Sequence, residues 1–321
     1  MPYRHIDHIN GVAVTPGIER TASMNTITRN IADARVYTNT ARFDGAAREL
    51  TEAELYRAAP SVFALDKHES RSERFQPIPT IEVLRGLRRE GFAVVGAVQS
   101  RTRDASKREF TKHLLRLRRL DDINGGRQFR TGDSVFEILL RNANDGTAAY
   151  DLYAGLFRIL CLNSLVANAG EVDSVKVRHS GDVQSKVIDG TFKVLQTAET
   201  VLGKAEDWAQ IGVNRDEQLL LAQAAHVARF GVAETEEEQT PIQPEQLLTT
   251  RRWEDRQTRN QLWTTFNIVQ ENAIRGGLTG RREGAQRITR TREVKGIDQT
   301  VRVNQALWLI TEHFASLKKA A

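Results

Sequence analysis

Residues 134–166, SVFEILLRNANDGTAAYDLYAGLFRILCLNSLV, decide how the chain is read. Val135 to Leu140 is apolar except for Glu137. Gly132/Asp133 and Arg141/Asn142 bound it, so it reads as a largely buried strand. Asn142 to Thr147 offers Asn, Asp and Gly, which tolerate positive φ and bond their own backbone, and this predicts a turn with Asp145 or Thr147 capping the next element. Leu152, Leu156, Ile159, Leu160 and Asn163 fall at helical spacing, with Tyr150 and Tyr153 flanking the stripe. The spacing predicts a helix from Ala148 to Asn163.

Upstream, Phe92 to Gln99 (FAVVGAVQ) is apolar and β-branched, and the polar SRTRDASKREF after it suits an exposed hairpin tip. Lys112 to Leu120 (KHLLRLRRL) alternates with a period of two, which buries leucines on one face and sets Arg116 and Arg118 side by side on the other. The result is an α+β fold with a β-β-β-α core, an antiparallel sheet and a basic face. Arg101, Arg103, Lys107, Arg108, Lys112, Arg116, Arg118, Arg119, Arg127 and Arg130 outnumber Asp104, Glu109, Asp121 and Asp122 in this region. Such a face suits a phosphate backbone.

QSRTRD, KHLLRLRR, the NANDGTAAY turn, LFRILCLNSLV and, near the C-terminus, LWTTFNIVQENAIRGGL together resemble the phage- and plasmid-borne family called domain of unknown function nine-three-two, over roughly residues 75 to 317. More remotely, a β-β-β-α unit with a basic strand face and an R-x-L-C-x-N-x-L helix end is similar to the core of single-strand annealing proteins of the Rad-fifty-two, Redβ/RecT and Erf type. That likeness is one of fold, and fold alone does not give function. It implies rings or filaments, hence a homo-oligomer.

Composition sets the outer limits. The 321 residues are 40% hydrophobic and 27% charged, enough for one large core or two modest ones, and the formal charge of +5 points mildly to a polyanionic partner. Cys161 is the single cysteine and falls among apolar residues, so it reads as a buried structural thiol. There is no run of about twenty apolar residues and no signal-peptide core, so a cytoplasmic protein with no membrane partner is expected.

Residues 1–75 read as an N-terminal arm or small subdomain, with a capped helix at Thr51 to Ala58. His5, Asp7 and His8 lack a second cluster of matching spacing and are not read as metal ligands. The core is assigned to 76–182, opening with a helix from Thr80 to Glu90, capped by Thr80 and stopped by Gly91. Ser174 to Ser180 reads as a short strand whose Lys176 and Arg178 extend the basic face. Residues 183–321 form a mainly helical region: Val183 to Trp208, then Asp216 to Phe230 capped by Asn214 or Asp216, with His226 as a packed histidine. An acidic loop, Ala233 to Gln246, comes next. A helix from Arg252 to Arg275 buries Leu262, Trp263, Phe266, Val269 and Ile274, with Trp253 off the stripe. In the basic loop 276–296, Arg281, Arg282, Arg287, Arg290, Arg292 and Lys295 are expected to clamp a bound strand. From Asp298 to Leu317 a closing helix turns Val303, Leu307, Ile310, Phe314 and Leu317 inward, with Val301 and Trp308 on another side.

Phosphate-binding G-x-x-x-x-G-K-[ST], dinucleotide G-x-G-x-x-G, zinc-type cysteine pairs and G-x-S-x-G are all missing, which argues against an ATP-driven motor and calls for no cofactor. The expectation is an ATP-independent nucleic-acid-binding protein of a phage or plasmid. It binds single-stranded DNA, promotes annealing or recombination, and has no catalytic residues. Two alternatives stand beside it: an interaction protein acting against host defence, and a metal-dependent nuclease drawing on Asp121, Asp122, Asp133, Glu137, Asp145 and Asp151.

Overall fold

In the computed structural model, which describes residues 37–38, 48–124, 134–158, 165–166, 175–177, 183–232, 240–282 and 286–320, the segment after the Asn142 to Thr147 turn is a strand. It is not the helix its spacing predicts. Strand β5 (Tyr150–Arg158) pairs antiparallel with β4 (Ser134–Asn142), in register from Ser134 opposite Arg158 to Arg141 opposite Asp151. Leu152, Ala154 and Leu156 are buried on one side of this strand and Tyr153 on the other, so polar residues do not alternate and the pattern carries no period of two. Asp145 caps no helix: its Oδ1 accepts from the Thr147 backbone N–H at 3.0 Å and from the Thr147 hydroxyl at 2.6 Å, closing the turn.

The core is therefore a β-β-β-β meander, β2 (Phe92–Gln99), β3 (His113–Arg119), β4 and β5. The α+β class and the antiparallel sheet are as expected. Strand β1 (Tyr37–Thr38) pairs β2, while β6 (Leu165–Val166) and β7 (Val175–Val177) both pair β5, completing a seven-stranded sheet. Of the expected strand around Ser174 to Ser180, Val175–Val177 is β7, and the remaining residues lie outside the described ones. Cys161, His5, Asp7 and His8 lie outside the described residues.

One face of the sheet packs Leu115, Leu117, Ile138, Leu140 and Leu152 against helices α1 (Glu52–Ala58), α2 (Thr80–Arg89) and, across the chain, α4 (Val183–Gln196). Thr51 forms the expected capping box with Glu54 at the start of α1. Leu55, Ala58 and Val62 join the main core. Gly91, at φ 87°, ends α2 as expected, but Thr80 does not cap it: Pro79 holds that position, and the Thr80 hydroxyl points to a buried histidine instead. The short α3 (Leu120–Asn124) follows β3.

The opposite face corrects the central expectation. Arg116 and Arg118 alternate with leucines as the period of two requires, but they are 7% and 3% exposed, and their face is closed, not basic. Both guanidinium groups converge on Glu137, 1% exposed, on the neighbouring strand. Arg116 donates from Nε to Oε2 at 2.5 Å and from Nη2 to Oε1 at 2.9 Å, and Arg118 donates from Nη2 to Oε1 at 2.6 Å. The rest of the face, Leu114, Leu139 and Tyr153, is covered by Ile297 and Val301 of the last helix, α8 (Ile297–Ala320). Asp298 beside them accepts from Arg141 at 2.8 Å and also from Lys112.

The C-terminal half is helical: α4, α5 (Ala198–Gln210), α6 (Arg215–Phe230), α7 (Leu262–Arg275) and α8. Asn214 caps α6 through a capping box with Glu217, as expected, and His226 packs with its Nε2 2.8 Å from the Thr240 hydroxyl. Helix α7 begins ten residues later than predicted, at Leu262; residues from Trp253 to Arg256 instead make one tight turn. Trp208, Trp263, Phe266 and Trp308 interlock, with Trp208 and Trp308 ring centres 4.5 Å apart, so Trp308 belongs to the core. Leu317, placed inward by its spacing, is 71% exposed. One continuous apolar cluster includes residues from Leu55 to Ala315.

The expected basic loop is partly paired. Strands β8 (Thr279–Gly280) and β9 (Thr289–Arg290) form a hairpin, fixed at its base by Thr291 N–H to Leu278 O at 2.8 Å and Val294 N–H to Ile274 O at 2.8 Å. At its entry Gly276 (φ 59°) lets the chain turn against the Arg292 carbonyl, where a Cβ would sit 2.6 Å from the oxygen.

Burial opposes ionisation of Glu137, but Arg116 and Arg118 overcome it and hold the pKa below the ordinary carboxylate value. A carboxylate with a depressed folded pKa contributes stability above its unfolded pKa and loses it as acid titrates the folded form. Glu137→Gln, which leaves two buried guanidinium groups without their shared anion, should cost about 3–5 kcal/mol in urea unfolding at neutral pH. An unchanged midpoint would show that the triad is not a stabilising element.

Candidate anion-binding cleft

The tip between β2 and β3 exposes Arg101, Arg103 and Arg108, and its backbone is held by bonds on several sides. Ser100 N–H donates to Lys112 O at 2.7 Å, and Phe110 O accepts the N–H groups of Asn144 and Asp145 at 3.0 and 3.1 Å. Asp104 Oδ1 accepts from Ser106 N–H at 3.0 Å and from its hydroxyl at 2.6 Å, closing a single turn from Ala105 to Lys107. His68 packs edge-on against Phe110 with ring centres 5.5 Å apart.

Against this tip lies α1, and between them opens a cleft of about 410 Å³ whose lining includes Arg57, Arg101, Arg103 and Arg108, with Gln99, Ser100 and Thr102. Arg57, Arg103 and Arg108 are exposed and have no carboxylate partner among the described residues. Gln99 positions the floor: its Oε1 accepts from Ser61 N–H at 2.9 Å while its Nε2 donates to Arg108 O at 2.6 Å. Arg57, Arg101, Arg103 and Arg108 line one opening, and a guanidinium group holds a phosphate or carboxylate by paired N–H donors.

Beneath the cleft is a buried polar cluster. Ser61 Oγ is 2.9 Å from His113 Nδ1, Thr80 Oγ1 is 3.1 Å from His113 Nε2, and Asn142 Nδ2 donates to Thr80 Oγ1 at 3.1 Å. A serine hydroxyl on a histidine is the arrangement of an activated nucleophile. Here Ser61 is 1% and His113 0% exposed, a threonine stands where a carboxylate would orient the ring, and burial pushes the His113 pKa down to about 3. The pair is shut from substrate and too weak a base, so its role is structural.

The residues nominated from sequence fall in separate places. Arg101, Arg103 and Arg108 reach the cleft, whereas Lys107 lies 3.9 Å from Asp104 and Lys112 is bound to Asp298. Arg116 and Arg118 are buried on Glu137, which removes them from any surface. Lys176 is exposed on β7, and Arg281, Arg282, Arg287, Arg290 and Arg292 are exposed on and around the β8–β9 hairpin. Arg127, Arg130 and Arg178 lie outside the described residues. Sequence reasoning passes over Arg57 because it sits on α1, in a stretch that carries no basic cluster. Of the acids considered for a nuclease, Glu137, Asp145 and Asp151 are held by Arg116/Arg118, Thr147 and Arg141 respectively. No group of three or more metal-binding side chains occurs among the described residues. No helix among them is long and apolar enough to cross a membrane.

Residues 67–308 match the family described as Domain of unknown function (DUF932). The chain belongs to that family. It is also similar to the UPF0380 proteins YfjQ and YafZ of Escherichia coli (strain K12), each 46% identical over 265 residues, which is 83% of this chain and 91% of theirs. No solved structure matches it. The DUF932 match includes the β2–β3 tip with Arg101, Arg103 and Arg108 and begins after Arg57, so the α1 side of the cleft lies outside it.

Because His113 is held neutral and its folded pKa is depressed, its contribution to stability is complete above the unfolded value of about 6.5 and is lost as pH falls below it. Unfolding free energy should drop by about 1 kcal/mol per pH unit from roughly pH 6.5 downward, and His113→Gln should flatten that limb. Identical pH profiles for the two proteins would contradict the buried neutral imidazole.

Proposed function

We propose that the protein binds single-stranded nucleic acid without ATP, and that the cleft between α1 and the β2–β3 tip is a phosphate-contacting site. The observation that carries this reading is the convergence of Arg57, Arg101, Arg103 and Arg108 on one open cleft built over a fixed backbone. Exposed arginines of the β8–β9 hairpin add a second basic surface to the same molecule. One cleft of this size takes only a short piece of strand. Annealing of long strands therefore needs several copies side by side, and a multimer is part of this reading.

Binding to a labelled oligothymidylate, followed by anisotropy, should weaken steeply with salt. Arg103→Ala with Arg108→Ala should reduce affinity and lower the log–log salt slope by about 0.7 per lost phosphate contact, with thermal stability unchanged. Normal binding by this variant would move the site off the cleft. Failure of both single and double strands to bind would favour an interaction protein, and cleavage that vanishes with chelator would favour a nuclease. A strict monomer by light scattering, with and without DNA, would rule out annealing while leaving simple binding intact.

A further inference from the structure

The chain has four tryptophans, and three of them lie in the core. Trp208, Trp263 and Trp308 are 2%, 9% and 0% exposed, whereas Trp253 is 70% exposed. Its neighbours are tied down. Arg252 forks onto Glu271 at 2.8 and 2.7 Å, Arg251 donates to Asn272 and to the Gly276 carbonyl, and Asp255 is 1% exposed. A backbone fixed on both sides thus holds a large indole in water. A lone exposed apolar side chain is ordinary at a surface, so the surroundings decide.

Three observations give this one a use. The Arg256 guanidinium lies 5.7 Å from the centre of the Trp253 ring. The loop that carries Trp253 also supplies Thr250, Arg259 and Asn260 to an open cleft of about 520 Å³, whose other wall includes Arg215 and Gln218 of α6. Arg215 and Arg259 have no carboxylate partner among the described residues. Finally, the loop is bonded to the entry of the basic hairpin, where Arg251 donates to the Gly276 carbonyl. Burial lowers the Arg251 pKa, and the nearby Arg275, Arg290 and Arg252 lower it further against the opposing pull of Glu271, which reflects how closely positive charge is gathered here.

We infer that Trp253 is a stacking platform for an unpaired nucleobase, with Arg256, Arg259 and Arg215 receiving the adjoining phosphates. This inference rests on the nucleic-acid reading and names a second contact surface for it. The chemistry selects the ligand. An aromatic face beside guanidinium groups accepts a flat, electron-rich ring attached to an anion, and every base offers a π-face whatever its identity. Bases inside a duplex have both faces covered by their neighbours, so the platform takes single strands. The cleft supplied by the same loop mixes Val213, Leu248 and Ile268 with Arg215, Gln218, Thr250, Arg259 and Asn260, so it offers guanidinium groups for an anion beside a small apolar floor.

Oligothymidylate should quench the exposed indole of the full-length chain, since the other three tryptophans are out of reach. An abasic oligodeoxyribose phosphate of equal length should bind by anisotropy without quenching. Trp253→Ala should abolish the quench and weaken oligothymidylate binding roughly ten-fold or more, leave the abasic strand's affinity unchanged, and unfold at the wild-type temperature; Trp253→Phe should retain most of the affinity. Oligothymidylate that binds with no change in tryptophan emission and equally well to Trp253→Ala would overturn the platform and leave the cleft reading standing. Absence of binding by either strand would overturn both, and equal weakening of thymidylate and abasic strands in Trp253→Ala would assign Trp253 to structure alone.

Discussion

Glu137 is the anion on which the closed sheet depends. Strand β3 puts two arginines on one face within three residues, and a buried guanidinium is tolerated only when paired and bonded. Because Glu137 on β4 takes both, that face can be enclosed along with Leu114, Leu139 and Tyr153, and α8 can lie across it. Placing α8 there in turn brings Asp298 to Lys112 and Arg141, which fastens the helical half of the chain to the sheet. Charge that looks like a binding surface is thus used as internal structure, and the sheet centre is removed from contact with any large ligand.

Buried polar groups shape the helical half in the same way. Helix α7 is enclosed along its whole length before Arg275, although it carries Asn267, Gln270, Glu271 and Asn272. Each has a defined partner: the Trp263 carbonyl for Asn267, Asn304 for Gln270, Arg252 and Arg275 for Glu271, and the Leu247 and Thr249 carbonyls for Asn272. A satisfied polar network fixes one arrangement of its neighbours where an apolar surface would permit sliding. The loops that leave this helix inherit the fixity, which is why Trp253 and the β8–β9 hairpin are held in place at the surface. Exposed charge is therefore presented on anchored loops at the edges of the fold, at the β2–β3 tip and around Gly276, the usual placement for recognition by a rigid scaffold.

Local features were legible in the order of the residues. The β2, β3 and β4 strands, the Thr51 and Asn214 caps, the Gly91 stop and the approximate closing helix all arise from near neighbours, through alternation, capping geometry and positive φ. The hairpin tip was legible as an exposed basic turn for the same reason, and it supplies three of the four arginines of the cleft. The remaining features were settled by long-range packing. Whether Tyr150 to Arg158 is strand or helix depended on a pairing with β4 and on burial of both faces, which leave no distinct period in the sequence. Whether Arg116 and Arg118 face water depended on Glu137 arriving from another strand 19 to 21 residues away. Arg57 reaches the cleft, and Arg259 comes to line one opening with Arg215, only because distant segments pack together, and no local pattern records which long-range partner a side chain will meet.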